Sequence, residues 1–552
     1  MTSPATDRTN PRPEHNPWAV LAVLCTSVFM LLLDTTVVNN AQRKIQIGLG
    51  ADLTEIQWIL DSYILVYAVL LLSFGRLGDI LGRKRFFIIG VVIFTVASGL
   101  CGVAGQIGDV FGVSGASALI AARALQGFGG AMMMPQSLSI ITQVFPPEKR
   151  GGALGIWGGV VALGAISGPL IGGFIATYYP WEWVFLINLP IGVIGVVASL
   201  RYLPETRDEA ASRRLDWGGV ALSGVSIFML VFALIEGNRV GWTSPEILGL
   251  LVASLLTFVA FLWWERRQPE PMVRLELFKI RNFAVANAMQ VIMSFGVFGI
   301  FFPLTLFLQA GIGYTPLEAG LVTAPTAVMQ LICAPLAGRL SDRYGSRRFM
   351  IAGTALAALG IALIAWHSRP DTTWVDLMFP MIVTGIGMGI TMSPLTSAAM
   401  REVPRGIAGS ASGIFNTTRS IGQVLGIAVL GTLLQTRTGI EAEARLSGMG
   451  LDPELKATLV RQAEASQFER IAATLQQVPD QMAAITDAIH VAFADALQFT
   501  FFANAALAVV ALVIALQLRE GPIHQPVARA QPRRGGGVQE MRPAETADHA
   551  TE

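Results

Sequence analysis

The sequence predicts an all-α polytopic membrane protein with two pseudo-symmetric six-helix lobes and two additional helices linking them. Three observations predict it. The chain of 552 residues is 53% hydrophobic and only 14% charged, with mean hydropathy +0.56, whereas ordinary soluble domains carry about 25% charged residues. Fourteen apolar stretches each approach the roughly 20 residues that a helix needs to cross a bilayer. Finally, one cationic turn is written twice: Gly75-Arg76-Leu77-Gly78-Asp79-Ile80-Leu81-Gly82-Arg83-Lys84-Arg85 returns as Gly338-Arg339-Leu340-Ser341-Asp342-Arg343-Tyr344-Gly345-Ser346-Arg347-Arg348. Paired repeats of this kind mark transporters built from two lobes. The copies lie 263 residues apart, while six spans with short loops need about 180 to 200. Two extra helices must therefore lie between them.

In chain order, a polar and Pro-containing segment 1–17 precedes the first span, 18–40, and lacks the charged-then-apolar order of a cleaved signal. Spans follow at 56–75, 86–104, 118–140, 152–175 and 184–203, which complete an N-terminal lobe over 18–203. The stretches 217–236 and 245–264 supply the two extra helices of 217–264. Spans at 282–308, 318–338, 349–366, 376–398, 407–434 and 491–517 make a C-terminal lobe over 282–517, and the first and fifth of these are long enough to tilt or bend. An external insert, 436–490, opens a helix at Asp452-Pro453 and places Leu455 and Leu459 at i, i+4, as expected of an amphipathic hairpin resting on the outer face. Residues 519–552, rich in Arg, Pro, Gly and Glu, read as a disordered cytoplasmic tail.

Lys and Arg are sorted by loop. The loops after even-numbered spans hold Arg76 to Arg85, Lys149 and Arg150, Arg201 to Arg214, Arg266 to Arg281, Arg339 to Arg348, and Arg401 with Arg405. The opposite short loops offer Arg43, Lys44, Arg239 and Arg369. The excess of positive charge on one side puts both termini in the cytoplasm of a multi-pass inner (plasma) membrane protein. The same sorting leaves no continuous basic patch for nucleic acid. Cys25, Cys101 and Cys333 sit in apolar stretches and read as packing residues, not a disulfide framework.

Several polar residues stand out within the spans. Counting from Trp18, Asp34 is about 24 Å up a helix, while Asp61 and Arg123 lie about 7 to 8 Å below the opposite boundary, so all three reach similar depth. Two carboxylates beside one guanidinium would make a site able to gain or lose a proton, and ionisable residues inside a membrane are functional by default. Gly164, Gly168 and Gly172 recur every four residues, baring one helix face for close approach, and Pro169 weakens the ladder beside them. In each repeated turn Asp79 or Asp342 ends a helix with arginines one turn on, the makings of an ion-pair latch. Met132, Met133 and Met134 suit packing, and Glu236 an interfacial position. No Gly-Lys pair, His-x-x-x-His or Cys-x-x-Cys occurs, so neither a phosphate-binding loop nor a metal site is expected. No cofactor is expected either, and an ion gradient remains as the energy source.

Beyond the repeated turn, the chain carries Leu33-Asp34-Thr35-Thr36-Val37-Val38-Asn39, Arg123-Ala124-Leu125-Gln126-Gly127, Gly164-Ala165-Ile166-Ser167-Gly168-Pro169-Leu170-Ile171-Gly172-Gly173, and Trp181 to Pro190, in that order. With these motifs over residues 18–517, it resembles the fourteen-span drug/proton antiporters of the major facilitator superfamily. The resemblance implies the major facilitator fold. It implies that Asp79, Arg83 and Arg85 steady the outward-facing state by bridging to the opposite lobe, with Gly75, Arg76, Gly78 and Gly82 shaping the turn and Asp342 and Arg348 their second-lobe counterparts. It also implies that the glycine run through Gly173 closes the lobe interface. Two departures fall at the outer rim: Asn40-Ala41-Gln42-Arg43-Lys44 replaces the usual apolar residues and proline, and Glu182 stands where a basic residue is usual. A latch between Arg43 or Lys44 and Glu182 is the corresponding expectation.

The reading is secondary export of amphipathic, cationic or neutral toxic compounds in exchange for protons, by a monomer using alternating access. Asp34, Arg123 and Asp61 would couple protons. Asp34, Asn39, Gln126, Asn287, Gln290, Gln330, Asn416 and Arg419 would line the cavity. Export of an endogenous lipid, siderophore or antibiotic is the nearest alternative, and a non-transporting receptor or scaffold a remote one. An enzyme is not expected, because no nucleophile–base or metal constellation is visible.

Overall fold

The computed structural model describes residues 16–207, 216–269, 271, 273–403, 408–476 and 481–519. The N-terminal segment up to residue 15 and the tail from 520 lie outside these, as do the side chains of Asp79, Pro169 and Asp342. The first lobe comprises α1 (Pro17–Leu49), α2 (Leu53–Leu81), α3 (Arg83–Gly102), α4 (Ala104–Phe111), α5 (Gly115–Val144), α6 (Pro147–Tyr178), α7 (Trp183–Leu186) and α8 (Asn188–Tyr202). Helices α9 (Trp217–Val240) and α10 (Pro245–Glu265) follow. The second lobe holds α11 (Arg281–Leu306), α12 (Pro316–Tyr344), α13 (Ser346–His367), α14 (Trp374–Met400), α15 (Ala408–Leu446), α16 (Pro453–Glu464), α17 (Phe468–Leu475) and α18 (Met482–Ala515). Among the described residues, twelve helices are long and apolar enough to cross a membrane, or thirteen when α4 and α5, which meet at 118°, count as one span. The remaining predicted stretch, 152–175, is helical within α6.

Local signals set the helix ends. Asn16 accepts from the Trp18 amide and Pro17 opens α1, whose missing N–H costs nothing at that position. Asp52 and Glu55 form a reciprocal capping box on α2, and Thr315 and Glu318 do so on α12. The repeated turn repeats in three dimensions. Gly82 (φ 112°) separates α2 from α3, and Gly345 (φ 90°) separates α12 from α13 at the same register, a backbone conformation that a side chain would strain.

The lobes share one packing plan. In the first, α1 packs on α6, and α5 takes both α2 and α3; in the second, α11 packs on α15, and α14 takes both α12 and α13. Across the seam α6 meets α12 and α2 meets α15, again as symmetric counterparts. Helices α9 and α10 are tied by reciprocal bonds, Ser226 Oγ to the Ser254 carbonyl (3.0 Å) and Ser254 Oγ to the Ser226 carbonyl (2.8 Å). Helix α9 then covers the seam: the Trp58 indole donates to Glu236 (3.2 Å) and Thr432 Oγ1 to the Leu234 carbonyl (2.8 Å).

Hydrogen bonds between described residues join the lobes in the half of the molecule away from the arginine-rich loops. Gln42 donates to the Phe302 carbonyl (2.9 Å), Gln309 to that of Asn40 (2.8 Å), and the Leu317 amide to Thr177 Oγ1 (2.9 Å). On the other side of the seam Gln57 reaches the Ile427 carbonyl at 3.4 Å. The molecule is thus sealed on the face opposite the basic loops, here called the far face.

Three helices overrun the sequence expectation by nine residues or more. Helix α1 continues nine residues past 40, α15 runs twelve past 434 to Leu446, and α18 starts at Met482, nine before 491, so the helices on both sides reach into the expected insert. The α15 and α18 extensions pack on the insert through Ala442, Leu446, Ile485 and Ile489, whereas the α1 extension rises above the apolar stretch because partners there satisfy its polar side chains. Arg43 donates to Gln46 (3.0 Å) and the Ser466 carbonyl (3.0 Å), and Gln46 to the Ala465 carbonyl (3.2 Å). In the insert, Asp52-like chemistry recurs, with Asp452 capping α16 through the Glu454 amide (2.9 Å). Leu459, Ile471 and Leu475 pack against Ala442, Leu446, Ile485 and Ile489 of α15 and α18, a small separate core.

Candidate functional site

Five helices converge on one buried carboxylate. Asp34, midway along α1, is 1% exposed, as is Arg123 of α5. Arg123 Nη1 donates to Asp34 Oδ2 at 2.6 Å, and Gln126 and Asn188 each donate to Asp34 Oδ1 at 2.8 Å. Arg123 and Gln126 act together because i, i+3 spacing puts them on one helix face, where Nη1 also donates to Gln126 Oε1 (2.6 Å). The guanidinium Nε reaches the Ile59 carbonyl of α2 (3.2 Å), and its plane lies 4.3 Å from the Tyr63 ring centroid. Ser98 of α3 accepts from Gln126 (3.2 Å) and Asn188 (3.0 Å) and donates to the Phe185 carbonyl (2.9 Å).

Each Asp34 oxygen meets N–H donors alone. That pattern fits a carboxylate, which only accepts. Removing Arg123 would strand a buried charge, a loss of about 3–5 kcal/mol in comparable pairs.

Asp61 does not join this cluster. Depth measured along helices placed it beside Arg123, but depth does not fix azimuth. Asp61 shares the face of Gln57, one turn away, which is turned to Ile427, Gly431 and Gln435 of α15. It is fully buried, and neither oxygen has a hydrogen-bond partner among the described residues.

The proposed cavity residues divide. Gln126 belongs to the Asp34 cluster. Asn39 donates to Thr35 (3.3 Å), Asn287 to Phe283 (2.8 Å) and Asn416 to Ser412 (3.0 Å), each to a carbonyl of its own helix, and Gln290 to Ser294 Oγ (2.9 Å). Gln330 and Arg419 are partly exposed and form no hydrogen bond with a described residue. Met132, Met133 and Met134 are buried in the core.

At the repeated turn, the Arg83 amide donates to the Thr206 carbonyl (2.9 Å) and Arg85 pairs with Glu205 at 3.6 Å, so this turn holds the end of its own lobe. Gly75 backs onto Pro135 and Gly78 onto Gln136 of α5. In the second copy Arg347 donates to the Leu516 carbonyl (3.0 Å) and Arg348 is exposed. Any latch through Asp79 or Asp342 lies outside the described side chains. The glycine run gives the close approach its spacing suggests, but for three of its glycines within the first lobe and not at the lobe interface: a Cβ on Gly164, Gly168 or Gly172 would stand within 2.9 Å of Leu32, Thr36 or Val37 of α1. Gly173 instead faces Pro316 and Leu317 of the other lobe.

The expected outer latch is not formed. Lys44 donates to the Thr177 carbonyl (3.2 Å), Arg43 has the bonds given above, and Glu182 Oε2 is buried without a hydrogen-bond partner. Because α1 stays helical to Leu49, Arg43 and Lys44 face the second lobe and the insert, where with Gln309, Tyr314 and Phe468 they line a cavity of about 430 Å³. Sequence reasoning also passed over Asn188 and Ser98. Asn188 lies in the Trp181 to Pro190 motif, a usable signal, whereas Ser98 is one small hydroxyl in an apolar span.

The Major Facilitator Superfamily model matches residues 22–427. The chain is 33% identical over 513 residues to the tetracenomycin C resistance and export protein of Streptomyces glaucescens, covering 91% of this chain and 92% of that one. It is 38% identical over 445 residues to a probable actinorhodin transporter of Streptomyces coelicolor (79% and 75% covered) and 34% over 441 residues to the multidrug resistance protein Stp of Mycobacterium tuberculosis (79% and 80%). Among solved structures, a bacterial homologue of the lysosomal transporter Spinster, inward-facing and unoccupied, aligns with TM-score 0.61 at 18% identity over 92% of this chain and 99% of that one. A D-xylose–proton symporter aligns with TM-score 0.56 at 13% identity, over 91% and 97%. The repeated helical lobes, the motifs along them and these relatives agree, and the chain belongs to the major facilitator superfamily of membrane transporters.

Proposed function

We propose that this transporter exports amphipathic small molecules in exchange for protons, by alternating access. The observation that carries the reading is Asp34, an ionisable group at mid-membrane whose partners come from α5 and α8 and are themselves held by α2 and α3 of the same lobe. With the far face sealed, Asp34 is held as a carboxylate by Arg123, Gln126 and Asn188, as suits a form that has released its proton toward the basic, cytoplasmic side. Opening to the far side would expose the cluster to a more acidic compartment, where protonation cancels the charge that Arg123 holds and frees α1 from α5 and α8. The return step then carries the proton inward.

Asp61 supports a second proton position. A buried carboxyl with no partner is carried as the neutral acid, because the bare charge costs several kcal/mol, and it lies at the α2–α15 seam that alternating access must open. The relatives named for tetracenomycin C export and multidrug resistance favour outward movement of organic compounds. The test uses everted membrane vesicles energised by a pH gradient and a panel of ethidium, Hoechst 33342 and 9-anthracenecarboxylate. Wild type should accumulate at least one of these only while the gradient stands, and Asp34→Asn, present at equal level, should not. Accumulation by Asp34→Asn at the wild-type rate, still abolished by a protonophore, would place the coupling elsewhere.

A further inference from the structure

The charge balance of the space between the lobes is not what a site for cations requires. Asp34 is occupied by Arg123 and two amides, and Asp61 is buried without a partner. Arg419 of α15 is different. It lies eleven residues into the helix, about 17 Å from its start. Arg419 is nonetheless partly exposed and makes no hydrogen bond or ion pair with any described residue, its Nε being fully covered and unpartnered. An arginine at mid-membrane depth with no protein partner is expensive to keep.

Its surroundings form a recognisable surface. Ser412, Asn416, Arg419 and Gln423 recur at spacings of four, three and four, so they share one face of α15. The neighbouring directions are taken: Gly422 and Gly426 press on Val291 and Phe295 of α11, and Gly431 on Gln57 of α2. The polar stripe lies between them, turned to the gap between the lobes. Helix α2, which packs on α15 across the seam, carries Tyr67, 8% exposed and stacked on Tyr63 at 6.2 Å and 14°.

We propose that Arg419, flanked by Asn416 and Gln423 and faced by Tyr67, is the anchor for an anionic group on an aromatic substrate, so that the transporter selects planar aromatic acids over cations of the same size. This rests on the export reading for its biological sense but not for its test. A guanidinium supplies two parallel N–H donors matched to a carboxylate, and an aromatic ring opposite offers a stacking face at low entropic cost. The sequence expectation of cationic or neutral cargo assumed that Asp34 was available to a ligand; the structure commits it to protein donors.

The experiment is equilibrium binding to the purified full-length protein, followed by fluorescence, with 9-anthracenecarboxylate and the uncharged 9-anthracenemethanol as a matched pair. Wild type should bind the carboxylate at least tenfold tighter, with a preference that shrinks in high salt. Arg419→Gln should bring the two ligands to equal affinity, Arg419→Lys should keep part of the difference, and Tyr67→Leu should weaken both. Equal binding of the pair by wild type, or an undiminished preference in Arg419→Gln, overturns the proposal. If Arg419→Gln does not fold, the wild-type pair and Arg419→Lys still decide it. Loss of gradient-driven uptake with the binding preference intact would sink the antiport reading and leave this site standing.

Discussion

Replacing Gly173 with alanine should loosen the far-face seal without disturbing the first lobe. A Cβ at this position would lie 2.7 Å from the Pro316 carbonyl oxygen and 2.9 Å from Leu317 Cα. Both are backbone atoms, so no rotamer change relieves the overlap. Comfortable contact begins near 3.5 Å, so α6 and α12 must part by roughly 0.7 Å or more. Overpacking of this kind costs about 1–3 kcal/mol. Since the two helices belong to different lobes, the cost falls on the far-closed state alone, shifting the balance toward the far-open state about 5- to 150-fold. Gly172→Ala is the control, because its Cβ would strike Val37 Cα and O (2.8 and 2.9 Å) within the first lobe and so burdens both states alike. Spin labels at Val110 and Val375, exposed on the far side of the two lobes, would report the opening by pulsed EPR once Cys25, Cys101 and Cys333 are replaced. Gly173→Ala should add a longer-distance population, and Gly172→Ala should lower thermal stability with the distances unchanged. Identical distances in wild type and Gly173→Ala would refute the assignment of that glycine to the seal.

Further outcomes follow from other parts of the molecule. Asn188→Leu removes one donor from the Asp34 carboxylate and should cost about 1–3 kcal/mol of thermal stability together with gradient-driven transport; unchanged melting would mean that the amide is dispensable. Asp61→Leu should match or exceed wild type in thermal stability, since it replaces an unpartnered buried carboxyl, yet should fail in transport, and a destabilised Asp61→Leu protein would point to a partner for the carboxyl. In the insert, burial and the nearby Glu443 push the Glu464 carboxyl above its ordinary range, with Arg461 opposing. Its contribution to docking α16 is therefore greatest below the ordinary carboxylate range and is lost as pH rises through the raised value. Hydrogen exchange in α16, corrected for intrinsic rates, should be slower in acid, and Glu464→Gln should abolish that dependence.

Much of the architecture was legible because its causes are periodic. Apolar length gave the spans, and the doubled turn gave the lobes and then reappeared as the matched φ of Gly82 and Gly345. Four-residue glycine spacing foretold a close helix contact, since close approach depends on one face of one helix, but not that α1 of the same lobe would make it. Azimuth was harder. Asp61 and Arg123 share a depth, but only the packing of α2 between α5 and α15 decides which way each points. The length of α1 was underestimated because hydropathy ends at residue 40, whereas Gln42, Arg43 and Gln46 find hydrogen-bond partners in the other lobe and the insert. Asn188 and Ser98 were missed for a related reason, as their roles depend on where α8 and α3 meet α1.

The central claim is that Asp34 exchanges its proton against the substrate. In a weakly buffered solution of purified protein, addition of 9-anthracenecarboxylate or ethidium, whichever the vesicles accumulate, should be followed by proton release read with a pH-sensitive dye. The account predicts release by wild type and none by Asp34→Asn at saturating ligand. Equal release from both proteins would contradict it.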